Sequence, residues 1–244
     1  MRGCLLAGVW GAGKTTVYQR CIARLIADGC QSLIALPQAA TLTTHTYTSG
    51  SSIDHMAGIR SWLDNLTSFL EDLDQRFQAS TLPSHRFAPA WTPTCLLEGF
   101  GFDVPVYGLP LGRHPLLAIE HRLAAIGLHL VVLRVPTHRI REQCIESTRA
   151  QRGPRWNTYL DEFGPDDSAR TEHVERAQDR LMHWAHSSPV PLHIIDVTGD
   201  GWDDHANEIA NLITSPQKAT HDRHHPNAPT PAAAARSHRA SNDH

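Results

Sequence analysis

The residues with the clearest chemical potential form a short glycine-rich run near the start of the chain, Gly8-Val9-Trp10-Gly11-Ala12-Gly13-Lys14-Thr15. Glycines let backbone N–H groups approach a polyphosphate closely. The lysine supplies a cation for the outer phosphates, and the threonine after it supplies a hydroxyl for Mg²⁺. The spacing of Gly, four free positions and Gly-Lys-Thr therefore predicts a phosphate-binding loop. A glycine-rich turn that only caps a helix is the alternative interpretation.

The segments on either side of this loop favour the phosphate-binding interpretation. Residues 4–7 have the apolar character of a buried strand, and residues 16–27 carry Val17, Cys21 and Leu25 at helical spacing. A helix N-terminus adds partial positive charge and free N–H groups for an anion. We therefore predict that the chain binds a nucleoside triphosphate. The predicted contacts come from the loop and the first helical residues: Gly8, Trp10, Gly11, Ala12, Gly13, Lys14, Thr15 and Thr16.

A carboxylate at the end of another apolar run is the next candidate. Glu98 follows residues 95–97, so it is predicted to project beside the phosphate-binding loop. It can complete the Mg²⁺ shell together with Thr15, or it can accept the proton of an attacking hydroxyl. A solvated carboxylate at a strand end is the alternative. Asp103, in the loop that follows, is a second candidate carboxylate, with the capping of a turn as its alternative.

An arginine-rich segment supplies further candidate catalytic side chains. Arg149 and Arg152 are three residues apart and are predicted to share a helix face. A segment that delivers such guanidinium groups to a transferring phosphoryl group accelerates the transfer by roughly 10³–10⁵-fold. A solvated basic helix is the alternative. We predict a lid at about residues 137–165, with Arg149 and Arg152 as catalytic residues.

The loop after the second predicted strand is expected to line the site where the molecule that receives the phosphoryl group binds. Its side chains can hydrogen-bond a sugar, a base or a phosphate: Gln38, Thr43, Thr44, His45 and Tyr47. Polar loops of this composition are common, so each of these residues equally fits an ordinary solvated loop.

The bulk composition narrows the class of protein. The 244 residues are 41% hydrophobic with a formal net charge of −3, which suits one α/β domain and gives no basic field for nucleic acid. Five scattered cysteines without a paired motif indicate reduced thiols. The absence of a leader and of a long apolar run predicts a cytoplasmic protein that does not bind membranes. A homodimer is an assembly that the sequence leaves open.

Apolar runs of strand and helix character alternate along the chain, which predicts a three-layer α/β fold with a five-stranded parallel sheet. The predicted strands are residues 4–7, 32–36, 95–98, 129–135 and 192–197, and the later helices are 53–77, 115–125, 169–186 and 202–213. We predict one domain over residues 1–215. Residues 216–244 have almost no large apolar side chains and are predicted to form a disordered tail.

With these motifs in place, the chain resembles the thymidylate kinase-like group of P-loop nucleoside and nucleotide kinases, over most of residues 3–214. The similar features are the loop at 8–15, the strand end at 36–41, Glu98, the lid arginines Arg149 and Arg152, and the turn at 195–199. The resemblance implies a P-loop kinase fold, Mg²⁺-ATP as donor, and phosphoryl transfer to a nucleoside or nucleoside monophosphate. It implies that Lys14, Glu98, Arg149 and Arg152 are catalytic residues and that Thr15 and Glu98 bind the metal.

Two departures from that group concern the acceptor. Gly99 follows Glu98, where the group usually has an arginine, and Gln38 stands where nucleoside kinases often have their base. Both departures keep another hydroxylated metabolite or an antibiotic open as acceptor. An NTPase that drives a partner is the alternative outside this class. A GTPase switch is disfavoured because the chain has no Asn-Lys-x-Asp.

Overall fold

The computed structural model describes residues 1–41 and 52–215, and these form an α/β fold around one parallel sheet. The strands are β1 (Arg2–Gly8), β2 (Leu33–Leu36), β3 (Thr94–Glu98), β4 (Leu128–Arg134) and β5 (Leu192–Asp196). Their order across the sheet is β2-β3-β1-β4-β5, and every neighbouring pair is parallel. The predicted five-stranded parallel sheet is therefore confirmed.

Helices connect the strands. They are α1 (Lys14–Ala27), α2 (Gln38–Thr41), α3 (Ser52–Gln78), α4 (Ala88–Trp91), α5 (Asp103–Tyr107), α6 (Arg113–Ala125), α7 (Ser147–Gln151), α8 (Pro154–Asp161), α9 (Asp167–His186) and α10 (Trp202–Thr214). Single-turn 3₁₀ segments occupy Leu82–Ser84 and Thr137–Arg139, and a π-helical turn occupies Arg141–Glu146.

The central strands are apolar because helices cover both of their faces. In β3 every residue is buried, and in β1 every residue after Arg2 is buried, so neither strand has a solvent face. Leu5 pairs with Leu97 on one side and with Leu130 on the other, and Leu6 pairs with Glu98. This register places the carboxyl end of β3 beside the loop that follows β1.

The helices pack as two groups. α1 and α10 contact each other and β1, and an ion pair of 2.6 Å joins Arg20 to Asp203 across them. α6 and α9 contact β4, and α3 packs on α6 through Arg122, which binds Asp64 and Glu71. The helix that follows the phosphate-binding loop is thus held between the central strand and the last helix of the fold.

Several predicted elements differ in detail from the structure. Asp103 was expected in a loop, but it begins α5 and is 1% exposed. The segment predicted as a lid, at about residues 137–165, with Arg149 and Arg152 on one helix face, forms a 3₁₀ turn, a π-helical turn and two short helices, and Gly153 and Pro154 separate the two helices. The remaining strand and helix boundaries agree within two residues.

Three further predictions concern the tail and the acceptor loop, the cysteines, and membrane-spanning segments. The predicted tail and the candidate acceptor residues Thr43, Thr44, His45 and Tyr47 lie outside the described residues. All five cysteines are buried and unpaired. Of the helices in the described residues, none combines the length and the apolar character needed to cross a bilayer.

Candidate functional site

The first turn of α1 presents its backbone N–H groups beyond the end of β1. Gly13 precedes the helix in the left-handed conformation, with φ of +83°, and as a glycine it has no side chain to cap the helix N-terminus. The N–H groups of Lys14, Thr15 and Thr16 belong to this first turn, where a helix has no carbonyl partners for them. Such a terminus binds anions through these N–H groups and the helix dipole.

Lys14 is held against the loop by the loop's own carbonyl groups. Its Nζ donates to the carbonyl oxygens of Gly8 at 2.9 Å and Val9 at 3.1 Å. Burial lowers the pKa of the Lys14 ammonium, while the nearby charges of Asp103 and Glu98 raise it. The ammonium therefore lies in a negative field and can exchange the two carbonyl contacts for the stronger contact with a polyphosphate.

Glu98 connects the first turn of α1 to the start of α2. Its Oε1 accepts a hydrogen bond from Thr15 Oγ1 at 2.9 Å, and its Oε2 accepts one from the Gln38 backbone N–H at 3.3 Å. The residue is 2% exposed, so the solvated-carboxylate alternative is wrong. The Thr15 hydroxyl and the Glu98 carboxylate together form a pair of hard oxygen donors of the kind that Mg²⁺ accepts beside phosphate oxygens.

A second buried carboxylate, Asp103, lies next to this pair. It folds back over Gly99, whose φ is +85° and where an added β-carbon would overlap the carboxylate. At the other end of α5, Tyr107 accepts a hydrogen bond from Gln38 Nε2 at 3.2 Å. Burial raises the pKa of the Tyr107 phenol, and the negative charges of Asp103 and Glu98 raise it further.

The π-helical turn after β4 packs directly on the phosphate-binding loop. The Cys144 Cα would lie 2.7 Å from a β-carbon on Gly11, so this position accepts only glycine without a shift of the backbone. Gln143 Nε2 donates to the Gly11 carbonyl oxygen at 3.4 Å. The segment predicted to act as a lid thus begins in contact with the loop.

Trp10 links the same loop to the short helices of that segment. Its ring is 6% exposed and lies within 4.6–6.5 Å, between ring centroids, of Tyr107, Tyr159, Phe163 and His173. Aromatic pairs at these separations stabilise beyond their buried area. The loop is therefore fixed by side chains of α5, α8 and α9 in addition to its backbone.

The two arginines assigned to the lid have separate environments. Arg149 forms a two-point ion pair with Asp167, at 2.7 and 3.1 Å, and Asp167 also binds Arg170. Arg152 follows the end of α7 in an extended conformation and stacks its guanidinium on Trp156 at 4.2 Å. The prediction that both share one helix face is wrong because α7 ends at Gln151, one residue before Arg152.

Two adjoining cavities lie above this edge of the sheet. The inner cavity, of about 150 Å³, is lined by the loop, the start of α1 and four side chains from other elements: Val9, Trp10, Gly11, Gly13, Lys14, Thr15, Thr16, Gln38, Tyr107, Arg152 and Trp156. The outer cavity, of about 660 Å³, is lined by α5 and α8: Tyr107, Arg155, Trp156, Thr158, Tyr159 and Glu162. Tyr107 and Trp156 line both cavities, so the two adjoin at these side chains.

The inner cavity brings together most of the predicted contact residues. Of the eight predicted nucleotide contacts, Gly8 and Ala12 do not line it, although the Gly8 carbonyl positions Lys14. Arg152 lines the inner cavity and Arg149 does not. Sequence reasoning missed Tyr107 and Trp156, since neither belongs to a motif. The dense aromatic composition of residues 156–163 was the available signal.

Comparison with solved structures shows the same fold in a protein with a bound nucleotide. The structure of the YorR protein from Bacillus subtilis, in complex with phosphorylated GDP, covers 86% of this chain and 95% of its own chain, with a TM-score of 0.52 and 12% sequence identity. No family model and no curated protein matches the chain. At this identity the likeness establishes a shared α/β fold.

Proposed function

We propose that this protein is an ATP-dependent small-molecule kinase that transfers the γ-phosphoryl group to a nucleoside or a nucleoside monophosphate. The observation that carries the proposal is the placement of the two cavities side by side. A compact inner cavity at a helix N-terminus, lined by Lys14 and Arg152, shares the side chains Tyr107 and Trp156 with a larger aromatic cavity. The likeness to a structure with a bound guanine nucleotide supports nucleotide binding at this site.

In this proposal the inner cavity holds the triphosphate of the donor. The N–H groups of the loop and of the first turn of α1 bind the phosphates, and Lys14 moves from its carbonyl partners to the β- and γ-phosphates. Arg152, which lines the same cavity, stabilises the charge that develops on the γ-phosphoryl oxygens. Arg149 supports the segment through Asp167 and acts at a distance from the transferring group.

The carboxylate of Glu98 and the hydroxyl of Thr15 would hold Mg²⁺, which when bound neutralises charge on the β- and γ-phosphate oxygens. The residues fit this ion because both are hard oxygen donors 2.9 Å apart and Mg²⁺ takes its remaining ligands from phosphates and water. The Gln38 backbone N–H orients the second carboxylate oxygen. Of the two roles that the sequence leaves open for Glu98, the contact with Thr15 favours the metal shell.

The outer cavity has the volume of pockets that take drug-sized molecules, roughly 300–1,000 Å³. Trp156, Tyr159 and Tyr107 give it flat aromatic walls, which suit a planar base. Thr158, Arg155 and Glu162 supply the polar groups for hydrogen bonds. We therefore assign the acceptor to the outer cavity, with its reacting oxygen directed at the inner one.

The test is a transfer assay with Mg²⁺-ATP across nucleosides, nucleoside monophosphates and other hydroxylated metabolites, with products identified by mass. We expect ATP consumption to depend on one class of acceptor, which gains the mass of one phosphate. A Lys14→Ala variant is the control for a contaminating kinase. Steady ATP hydrolysis that no acceptor alters would contradict the proposal and favour an NTPase coupled to a partner.

A further inference from the structure

We infer that Trp156 is a positioning residue that couples the two substrates. An acceptor bound against its indole strengthens the contact of that ring with Arg152, which acts on the transferring phosphoryl group. Resting on the proposed kinase function, this coupling makes donor binding depend on the acceptor. The observation that carries it is the position of the indole: its centre lies 4.2 Å from the guanidinium carbon of Arg152, and it lines both the inner and the outer cavity.

The backbone at Arg152 does not by itself fix the position of the side chain. The residue follows α7 in an extended conformation and is exposed, while its backbone N–H donates to the Thr148 carbonyl oxygen at 3.0 Å. A long exposed side chain gives up rotamer freedom to reach one position, which costs conformational entropy. The indole of Trp156 supplies that position, and a guanidinium stacked on an aromatic face keeps its in-plane N–H groups for phosphate oxygens.

Trp156 is itself fixed relative to the phosphate-binding loop. It lies in the first turn of α8, which begins at Pro154, and its N–H donates to the Gly153 carbonyl oxygen at 2.9 Å. Its indole meets the Tyr159 ring edge to face, with 5.6 Å between centroids, and the Tyr159 ring lies 6.5 Å from that of Trp10 in the loop. The surface that receives Arg152 is therefore held by rings that also contact the loop.

The indole of Trp156 presents different parts to the two substrates. Arg152 lines the inner cavity and does not line the outer one, whereas Trp156 lines both. The part of the ring that borders the outer cavity therefore accepts a ligand while the guanidinium stays in place. A planar acceptor that packs on this part removes water from the ring.

Removal of water strengthens the contact between a cation and an aromatic ring. The difference between an exposed and a desolvated pair corresponds to about fivefold in an equilibrium constant. An acceptor in the outer cavity should therefore hold Arg152 more firmly beside the donor phosphates and tighten donor binding by about that factor, because less side-chain freedom remains to be lost. Coupling between two ligands is reciprocal, so the donor should tighten acceptor binding equally.

The test measures donor binding with and without acceptor, using the full-length protein and Mg²⁺. The donor probe is adenosine 5′-(β,γ-imido)triphosphate, which resists hydrolysis. The acceptor is the compound that gains phosphate fastest from ATP among adenosine, guanosine, cytidine, uridine, thymidine and their 5′-monophosphates. By calorimetry we expect saturating acceptor to lower the Kd of the donor probe about fivefold in the wild-type protein. The factor should fall below about twofold in Trp156→Leu and in Arg152→Ala, and Trp156→Phe should restore part of it.

An arginine and an aromatic ring elsewhere in the chain provide the matched control. The guanidinium carbon of Arg86 lies 4.6 Å from the ring centre of Phe87, and neither residue lines the inner or the outer cavity. Phe87→Leu should leave the coupling between donor and acceptor unchanged. A loss of coupling in this variant as well would mean that the change in Trp156→Leu is not specific to the site, which overturns the inference.

Turnover separates positioning of Arg152 from a purely structural role of Trp156. Trp156→Leu should lower kcat by about twofold to fivefold when Arg152 is present. In the Arg152→Ala background the same change should still raise the acceptor KM but leave kcat within about 1.5-fold, since the contact that it removes is already absent. Equal losses of kcat in both backgrounds would overturn the inference.

The remaining outcomes distinguish the inference from the proposed function. If phosphate is transferred but the acceptor does not change the Kd of the donor probe, or if the coupling persists in Trp156→Leu, the inference is wrong and the kinase function stands. ATP hydrolysis without transfer to any of these compounds contradicts the proposed function, and the inference falls with it. If Trp156→Leu does not fold, Arg152→Lys decides the same question, because lysine keeps the charge and loses the planar face. Full coupling in Arg152→Lys would then overturn the inference.

Discussion

The inner and outer cavities adjoin, yet they are built in different ways. The inner cavity is formed mainly by residues of one loop and one helix turn that are close together in the chain. The outer cavity is formed by side chains of two short helices that are almost fifty residues apart in the chain, at Tyr107 and at 155–162. A site made of backbone depends little on the surrounding sequence, whereas a site made of side chains can change its ligand by substitution.

Lys14→Ala is expected to have the largest effect of these variants, because it should reduce kcat and leave acceptor binding unchanged. Loss of this ammonium removes a fixed positive charge from the phosphates, and removing one such preorganised group typically reduces kcat by about 10²–10³-fold. Binding of the acceptor alone, measured calorimetrically without ATP, should remain within about twofold because the outer cavity does not contain Lys14. Near-normal turnover in this variant would show that the loop does not bind the donor.

Glu98→Gln tests the buried carboxylate that contacts Thr15. We expect kcat to fall by at least about 10²-fold, since the variant keeps the shape but loses the charge beside Thr15. If Glu98 serves the metal shell, the Mg²⁺ concentration for half-maximal activity rises as well; an unchanged Mg²⁺ requirement with reduced kcat would assign the residue to the proton. Glu120→Gln is the matched control, because Glu120 is also buried but binds Arg113 and Trp184, and it should leave both quantities unchanged. A change in acceptor KM alone would place Glu98 in the outer cavity.

The pair Arg152→Ala and Arg149→Ala separates the two arginines of the lid segment. Arg152 lines the inner cavity, and losing one charge-assisted hydrogen bond of about 1.5–3 kcal/mol should reduce kcat/KM by roughly 10-fold to 10²-fold. Arg149 is bound to Asp167, so its replacement should change kcat/KM by less than about threefold and lower the free energy of unfolding by about 1 kcal/mol or less. If the two variants lose kcat/KM equally, both arginines act in catalysis, as the sequence predicts.

Trp156→Ala tests the outer cavity. An aromatic contact contributes about 0.5–1.5 kcal/mol, so acceptor KM should rise by about threefold to tenfold. Because Arg152 stacks on this ring, a smaller reduction in kcat is expected in addition. Trp156→Phe keeps an aromatic face and should recover most of the acceptor affinity. Unchanged KM in both variants would move the acceptor out of the outer cavity.

The smallest expected effect is on the pH dependence of stability, and it comes from His173. His173 stacks on Phe163 at 4.5 Å, and burial lowers the pKa of its imidazole, with Arg180 and Arg176 lowering it further. The folded state therefore takes up this proton less readily than the unfolded chain, and stability falls as pH drops through the unfolded value of about 6.5. In His173→Gln the loss of unfolding free energy between pH 7 and pH 5 should be smaller, by less than about 1 kcal/mol, as measured by urea denaturation. If the variant loses as much unfolding free energy as the wild type, or more, then His173 is not the source of this pH dependence.

The success of the sequence predictions follows the same division between local and distant contacts. The loop at residues 8–15, the helix after it and the apolar strands could be predicted because each depends on local spacing and on burial of continuous apolar runs. Glu98 was placed correctly because the carboxyl ends of neighbouring parallel strands meet at one edge of a sheet. Arg149 and Arg152 were wrongly paired on one helix face, since their separation depends on where α7 ends and on Asp167, eighteen residues further along.

The sequence by itself determined the class of fold and the position of the predicted phosphate-binding loop between the first strand and the first helix, because a short motif and its flanking elements carry both. Only the tertiary structure decided what surrounds that loop. It placed Asp103 over Gly99, joined Gln38 to Tyr107, and brought Trp156 and Arg152 to the same wall. These arrangements arise from packing between elements that are far apart in the chain, where side-chain shape and buried charge, rather than periodicity, fix which residues meet.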